Sequence, residues 1–408
     1  MIERTGCVVV GGGPAGMVLG LLLARAGVAV TVLEKHGDFL RDFRGDTVHP
    51  STLQLLDELG LGQQFAELSQ SRLGEIAFPT ADGEYLTFVD FKRLPVPHPY
   101  IAMVPQWDLL SLLAGAAAEE ECFTLRMDTE VTDLVREDGV VVGVRCRNRK
   151  TGLESELRAE LTVGADGRTS RVREAMKMRT KESKVPFDAW WLRLPRRPGD
   201  DVASLRPNSN FGHVAVAIPR PDYFQIAYFA PKGSDAEIRK AGLAAFRDRI
   251  VDCLPQLADR VDHLESMDDV KHLDVRLNRL QKWHSPGVLC IGDAAHAMSP
   301  VAGVGINLAI QDAVATARLL ATPLRSGGLR TRDLARVRRR RRLATVLSQG
   351  LQMALHRNVV EPVLTRQRIG PPKLAIWLMR CVPQASFVPA YLIGVGVRAE
   401  HAPEFARR

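Results

Sequence analysis

A glycine-rich loop near the N-terminus constrains the fold of this chain more than any other feature. Gly11, Gly13 and Gly16 stand between an apolar run at 7–10 and a helical pattern at 17–26, and a second apolar run follows the helix. Short, β-branched apolar runs are typical of buried parallel strands, so this order predicts a βαβ unit. The three glycines permit a tight turn, close approach to a pyrophosphate, and close packing of helix on strand. The fold class is therefore α/β, with a Rossmann-like, mainly parallel sheet.

The residues around this loop indicate a dinucleotide as its ligand. Pro14 and Ala15 open the helix, whose N-terminus presents unpaired N–H groups and the positive end of its dipole to phosphates. Glu34 ends the second apolar run, where a carboxylate accepts hydrogen bonds from ribose hydroxyls and repels a 2′-phosphate. FAD and NAD therefore fit this loop better than NADP. We place Lys35 beside Glu34 among the cofactor-binding residues.

Composition limits the class of protein. The chain has 408 residues, of which 46% are hydrophobic, and a formal net charge of +8. This length suffices for two domains or one elaborated domain. The six cysteines include no C-x-x-C pair, which indicates reduced thiols in a cytoplasmic protein and no metal site. No uninterrupted apolar run reaches the length that spans a bilayer.

Two later blocks narrow the ligand to FAD. The first reads Gly164-Ala165-Asp166-Gly167-Arg168, and the second runs from Gly292-Asp293 through His296 and Pro300 to Gly303, Gly305, Ile306 and Asn307. Together with the N-terminal loop, in this order and at these separations, they resemble the FAD-dependent aromatic hydroxylases typified by para-hydroxybenzoate hydroxylase. The resemblance covers about residues 7–320 and is weakest in the middle of the chain.

The resemblance implies contacts between particular residues and non-covalently bound FAD. Arg44 would reach the pyrophosphate from a loop, and Gln106, at a helix start, would lie near the ribityl chain and the phosphates. Asp166 would touch the FAD beside the route of the nicotinamide cofactor. Asp293 would bind a ribityl hydroxyl.

The resemblance also places the end of the third block around the flavin ring. Pro300 would lie at the reacting edge, and with Arg44 it makes up the expected catalytic set. The start of a helix would supply backbone groups at the pyrimidine end of the ring, from Gly303, Gly305, Ile306 and Asn307. A helix N-terminus stabilises negative charge on the reduced flavin. His296 is expected to be a structural residue beside the ring.

The expected activity follows from the family. NADPH or NADH would reduce the flavin transiently, dioxygen would add to give a flavin C4a-hydroperoxide, and an electron-rich aromatic carbon would attack the distal oxygen. The protein would exclude water and hold the substrate edge over the flavin. No metal and no nucleophilic side chain is required. The expected partners are a small aromatic substrate and dioxygen, and no nucleic acid.

The blocks divide the chain into discontinuous domains. The expected boundaries are 1–72, 102–179 and 277–330 for the FAD-binding domain, 73–101 and 180–276 for the substrate domain, and 331–408 for a C-terminal helical segment. Alternating β-like runs on either side of a Pro-Arg-Pro-Asp turn predict an antiparallel sheet in the substrate domain. The arginine-rich stretch 336–342 is interpreted as a solvated helix face, and the apolar stretch 374–397 as a packed cap in preference to a surface that lies on a membrane.

The predicted antiparallel strands supply the expected substrate wall. Alternation places some aromatic side chains on a shared face, but it does not decide which face meets the flavin. The expected substrate residues are Trp190, Arg193, Phe211, His213 and Tyr228. A wall with few charges favours a flat, multi-ring phenol and disfavours a small benzoate, unless Arg193 or Arg220 turns inward.

Three alternatives remain open at this point. A flavin-dependent halogenase shares the FAD fold, but its W-x-W-x-I-P segment is matched only loosely by Trp190-Trp191-Leu192-Arg193-Leu194-Pro195. An isoprenoid-saturating reductase also shares the fold and would suit the apolar C-terminus. A non-catalytic FAD-dependent binding protein is the third alternative.

Overall fold

The structure is a computed structural model, and it describes residues 2–40, 47–80, 84–200, 204–210, 212–366 and 371–408. The strands in chain order are β1 Ile2–Val10, β2 Val30–Leu33, β3 Thr47–Val48, β4 Ser71–Leu73, β5 Glu75–Pro79, β6 Tyr85–Asp90, β7 Ile101–Met103, β8 Phe123–Arg126, β9 Thr129–Glu137, β10 Val140–Asn148, β11 Glu154–Gly164, β12 Thr180–Ser183, β13 Phe187–Pro195, β14 Ser204–Asn210, β15 His213–Pro219, β16 Tyr223–Pro231, β17 Lys271–Leu273, β18 Leu277–Leu280, β19 His284–Ser285 and β20 Val288–Cys290. The α-helices are α1 Pro14–Arg25, α2 Pro50–Glu58, α3 Gly62–Ala66, α4 Gln106–Ala118, α5 Arg171–Ala175, α6 Asp235–Cys253, α7 Gly305–Arg325, α8 Thr331–Leu355, α9 Glu361–Leu364, α10 Lys373–Cys381 and α11 Phe387–Gly394.

The first sheet is the predicted Rossmann-like sheet. Its order is β19-β20-β11-β1-β2-β8, and the pairs among β20, β11, β1, β2 and β8 are parallel. The hairpin β9–β10 extends it in antiparallel fashion from β11. Helix α1 is buried from Ala15 to Ala24 because it packs against α4 and α7 as well as the sheet. Strands covered on both faces must be apolar throughout, which is why the runs at 7–10 and 30–33 contain almost no polar residue.

The second sheet is mainly antiparallel and has the order β17-β13-β16-β15-β14-β5-β6. One face packs on α6 in a core that contains Trp190, Ile226, Tyr228 and Phe246. The other face carries alternate residues of the same strands toward the large cavity described below. The segment 75–90 joins strands from 187–273 in this sheet, and the ribbon β12–β18 connects the two sheets. The exact domain boundaries stay a prediction.

The C-terminal helices close the molecule around the junction of the two sheets. Helix α8 packs on α7, and a π-helical turn, His356–Val360, follows it directly. Among the described residues, the stretch Val301–Arg325 is long and apolar enough to cross a bilayer, but 78% of its apolar window is buried inside the protein. The pair Lys373–Cys381 and Pro383–Gly394 passes the same test only when joined across a 114° bend.

Candidate active site

The N-terminal loop forms a cradle of the shape that a pyrophosphate requires. Gly11 has φ of +107°, and a Cβ there would lie 2.5 Å from the carbonyl oxygen of Ala165. A Cβ at Gly16 would lie 1.9 Å from the carbonyl oxygen of Gly11, so only glycine lets α1 pack this closely on the loop. A Cβ at Gly13 would meet none of the described residues within 4 Å, because Gly13 faces the cavity together with Pro14 and Ala15. The open space lies at the N-terminus of α1, where anions are stabilised.

Glu34 lies at the end of β2, against this cradle. Its Oε2 accepts a hydrogen bond from the backbone N–H of Gly12 at 2.9 Å. Its Oε1 lies 2.6 Å from Nδ1 of His36. Glu34 and Lys35 both line the cavity. The carboxylate is therefore held in the cavity wall beside the glycine cradle, and its contact with a ribose stays a prediction.

The two later motifs meet at the same cavity. Asp166, Arg168 and Asp293 all line it. Burial raises the pKa of Asp166, and its Oδ2 accepts a hydrogen bond from the N–H of Val172 at 3.2 Å. Arg168 Nε donates to Asp293 Oδ2 at 3.1 Å. Gln106, at the first turn of α4, also faces the cavity.

The segment after Asp293 forms a turn that leads into α7. Pro300, Gly303, Gly305 and Ile306 line the cavity. Ala302 has φ of +67°, which is a costly conformation for a residue with a Cβ and is found preferentially at functional sites. The N-terminus of α7 therefore points its dipole at the cavity.

The side chain of Asn307 lies apart from the cavity that its neighbours Gly305 and Ile306 line. Its side chain is buried, and its Oδ1 accepts hydrogen bonds from Ser51 at 2.9 Å and Thr52 at 2.7 Å. It does not lie among the cavity-lining residues. The Asn307 side chain thus fixes α2 against α7, and only its backbone is available for the expected flavin contact.

A stripe of buried polar residues on α8 and the following turn holds the Pro300 segment in place, and the sequence analysis missed it. Gln352 Nε2 donates to the carbonyl oxygens of Ser299 and Val301, both at 2.8 Å, and its Oε1 accepts from the N–H of Ser299 at 3.1 Å. The stripe consists of Arg341, Thr345, Gln349, Gln352 and His356. Polar residues at spacings of three and four in one helix were the available signal.

His296 is buried and paired with a carboxylate. Its Nε2 lies 2.5 Å from Oδ2 of Asp312, and both side chains are buried. Burial raises the pKa of Asp312, but the charges of His296 and Arg341 outweigh it and hold the pKa below its usual value. Asp312 also accepts from the N–H of Gly292 at 3.1 Å. The group therefore fixes the loop that carries Asp293.

Arg341 corrects the interpretation of the arginine-rich stretch. Arg341 is 1% exposed and donates to Asp312 at 3.0 Å, while Arg340 pairs with the buried Glu400 at 2.6 Å. This part of α8 is therefore not a solvated face throughout. It links the C-terminal segment, through Glu400, and helix α7, through Asp312.

The cavity extends from the glycine loop to the second sheet and has a volume of about 1450 Å³. Pockets for single drug-sized ligands measure about 300–1,000 Å³, so this space can hold a dinucleotide and a second molecule. Its distal wall is apolar and comes from both the sheet and the C-terminal helices. The wall includes Ile76, Phe78, Phe88, Trp191, Val214, Val216, Ile218, Ala227, Phe229, Leu351, Leu355, Val359, Ala375 and Met379.

The structure contradicts most of the expected substrate contacts. Trp190 and Tyr228 lie on the opposite face of the sheet, in the core beneath α6. Trp190 Nε1 donates to Asp235 at 2.8 Å, and Tyr228 Oη lies 2.6 Å from Nδ1 of His213. The expectation for Trp190, His213 and Tyr228 is therefore wrong, because their neighbours on each strand face the cavity instead.

Three further arginines named in the sequence analysis and Phe211 have three different outcomes. Arg193 is exposed, stacks on the Tyr223 ring with 4.6 Å between Cζ and the centroid, and does not line the cavity. Phe211 and Arg44 lie outside the described residues, and their roles stay predictions. Arg220 does turn inward: it lines the cavity, is 1% exposed, and donates to Gln225 Oε1 at 2.6 Å.

These observations fit FAD. A glycine cradle at a helix N-terminus suits the pyrophosphate, a carboxylate suits the ribose, and a second helix N-terminus suits the ring. No group of three or more metal-ligating side chains occurs among the described residues.

Comparisons with known proteins indicate the same cofactor. A family model described as an FAD binding domain matches residues 4–349. The chain is 36% identical over 364 residues to 6-methylpretetramide 4-monooxygenase of Streptomyces rimosus, covering 86% of this chain and 83% of that protein.

Solved structures share the fold at lower identity. The p-nitrophenol 4-monooxygenase of Pseudomonas putida superimposes with a TM-score of 0.72 at 20% identity, over 97% of this chain and 95% of the other. The myxobacterial chondrochloren halogenase superimposes with a TM-score of 0.75 at 20% identity, over 99% and 95%. At such identity the likeness concerns the fold alone.

Proposed function

The chain belongs to the FAD-dependent aromatic hydroxylases, and from this premise we propose that it hydroxylates a multi-ring, largely apolar aromatic molecule with NADPH or NADH as the reductant. The observation that carries the proposal is the single cavity that joins the dinucleotide cradle to the apolar wall of the second sheet. We also place the protein in the cytoplasm, in keeping with six free cysteines.

The distal part of the cavity supports a flat apolar substrate. Val214, Val216 and Ala227 belong to adjacent strands and lie on the same face, so their side chains form a flat surface. Helices α8 and α10 supply aliphatic side chains from the other side. Such walls exclude water, and this protects the oxygen-transfer chemistry that bound FAD supplies.

Arg220 and Gln225 give this apolar space one polar end. Both are 1% exposed and both line the cavity. A guanidinium and an amide can donate to a phenolic or carbonyl oxygen, or to an acidic substituent. We propose that the oxygen-bearing edge of the substrate lies here, and that this contact orients the ring to be hydroxylated.

The protein groups near the expected ring position have defined tasks. The α7 N-terminus, at Gly305 and Ile306, would stabilise negative charge on the ring. Asp293 would hold the ribityl chain, and Glu34 the ribose. The Pro300 turn, clamped by Gln352, would form the wall beside the reacting edge.

The experiment is a substrate panel with the FAD-loaded protein. 6-Methylpretetramide, the substrate named for the Streptomyces rimosus relative, would be compared with p-nitrophenol and with para-hydroxybenzoate. The expected result is that the multi-ring compound accelerates NAD(P)H oxidation most and yields a product with one added oxygen. Fastest turnover of a single-ring phenol would contradict the proposed substrate class.

A second measurement separates the hydroxylase from the halogenase that shares its fold. Product formation is expected to be unchanged when chloride and bromide are replaced by an inert anion. Halide-dependent incorporation of chlorine or bromine would overturn the proposal.

A further inference from the structure

A second cavity, of about 250 Å³, lies between the β12–β18 ribbon and α8. Its lining comprises Lys181, Arg279, Leu280, Gln281, Trp283, Arg338, Arg342 and Thr345, and none of these described residues lines the large cavity. Four of these side chains are cationic, and none of the described residues that line the cavity is acidic. We call this space the basic cavity.

The cations of the basic cavity form two like-charge pairs that reduce local stability. Lys181 lies directly opposite Arg279 in the antiparallel register of the ribbon, where like charges destabilise a strand pair. Arg338 and Arg342 are four residues apart on α8, where like charges destabilise a helix. Two unfavourable pairs that face one small cavity indicate a site selected for something other than stability.

Other arginines of the same helix have their charge balanced by a carboxylate. Arg336, Arg340 and Arg341 pair with Asp333, Glu400 and Asp312 respectively. Within the described residues, by contrast, Nε of Arg338 is buried without a hydrogen-bond partner. Burial and the neighbouring Arg342 charge lower the pKa of Arg338.

We propose that the basic cavity binds a phosphorylated small molecule with two or more negative charges, such as pyrophosphate or the diphosphate of a nucleotide. Guanidinium groups match phosphate oxygens in geometry and in charge. The volume is below that of a drug-sized pocket, which suits a compact polyanionic group.

Hydrogen bonds and a ring contact connect the basic cavity to the loop that carries Asp293. Arg279 Nη1 donates to Gln349 Oε1 at 3.0 Å, and Gln349 Nε2 donates to the carbonyl of Ala297 at 3.3 Å. Trp283, which also lines the basic cavity, packs on His296, with ring centroids 5.0 Å apart. A bound anion would therefore touch residues that support the loop of Asp293.

The test uses the FAD-loaded protein, titrated calorimetrically with sodium pyrophosphate at constant ionic strength. The double variant Arg338→Gln/Arg342→Gln is expected to bind pyrophosphate at least about tenfold more weakly, since each charged hydrogen bond contributes about that factor. Arg339→Gln is the matched control, because this exposed arginine of the same helix does not line the basic cavity. It is expected to bind like wild type.

A second readout protects the test against a folding defect. Without any anion and at low salt, relief of the Arg338–Arg342 repulsion is expected to raise the Tm of the double variant above that of wild type. If the double variant loses FAD or folded structure, Lys181→Gln replaces it, with the same loss of pyrophosphate affinity expected.

A parallel titration with ADP identifies the source of the anion. Tighter binding of ADP than of pyrophosphate would identify a nucleotide, and equal binding would identify the diphosphate group as the ligand. Equal affinities in wild type, Arg339→Gln and the double variant would overturn the proposal, as would no binding of millimolar pyrophosphate to wild type.

Discussion

Arg168 Nε donates a hydrogen bond to Asp293 Oδ2 at 3.1 Å, and so joins the two motifs that come together around the FAD cavity. Arg168 Nη2 also donates to the carbonyl of Met298 at 3.1 Å, next to the Pro300 turn. Both side chains of the pair line the cavity, and both are partly exposed there. The pair holds the Asp293 carboxylate in position along the wall.

Asp293→Ala is expected to weaken FAD binding by about tenfold or more, because a ribityl hydroxyl loses a charged acceptor and a hydrogen bond to a charged group contributes about 1.5–3 kcal/mol. Fluorescence titration of the apoprotein with FAD measures the effect. Asp274→Ala is the control, since Asp274 is another cavity-lining acid that pairs with Lys232. An unchanged FAD affinity in Asp293→Ala would remove Asp293 from the site.

Val214 and Tyr228 lie on paired strands but on opposite faces of the second sheet. Substitutions at the two positions are therefore expected to affect different properties, substrate turnover in one case and stability in the other. Val214 faces the cavity, so Val214→Phe is expected to lower kcat/KM for a multi-ring substrate by roughly tenfold or more. Tyr228→Phe removes a hydroxyl that contacts His213 at 2.6 Å, and should cost about 1 kcal/mol of stability without changing substrate preference. Steady-state kinetics and denaturant unfolding distinguish the two effects. The reverse pattern would place the substrate on the α6 side.

Gln352→Leu is expected to destabilise the protein by about 2–4 kcal/mol, because it leaves the Ser299 N–H and the Ser299 and Val301 carbonyls without their buried partner. It should also loosen the Pro300 turn and increase hydrogen peroxide release at the expense of hydroxylated product. Urea unfolding and the ratio of product to NAD(P)H consumed measure both effects. Gln384→Leu, at an exposed glutamine, serves as the control, and full coupling in Gln352→Leu would refute a positioning role.

His356 is expected to make stability pH-dependent in the acid range. Burial lowers its pKa from 6.5 to about 4, so the unfolded chain binds the proton more readily than the folded protein. The contribution of neutral His356 to the free energy of unfolding is present in full above pH 6.5. It is lost as the pH falls toward 4, by about 3 kcal/mol in total. His356→Gln should therefore show a shallower loss of stability between pH 6.5 and 4, measured by urea unfolding at several pH values.

The control for this measurement is His263→Gln, at an exposed histidine. Its pH profile is expected to follow that of wild type. If His356→Gln and wild type lose stability in parallel, His356 does not carry the effect.

The half of the molecule built on the first sheet was determined by local sequence. Gly11 and Gly16 are needed by close backbone contacts within one βαβ unit, and the apolar run that ends before Glu34 must be a strand buried on both faces. Such signals depend on residues near one another in the chain, so they can be read without the fold. The motifs at Asp166 and Asp293 were recognised by their resemblance to a family.

The half of the molecule built on the second sheet was decided by tertiary structure. Alternation divides β15 and β16 into two faces, but both faces are apolar, and only the position of α6 shows that Tyr228 lies in a core and Ala227 at the cavity. The same holds for the arginines of α8. Arg341 meets Asp312 and Arg338 meets other cations, because partners distant in sequence decide whether a charge is buried, paired or left unpaired.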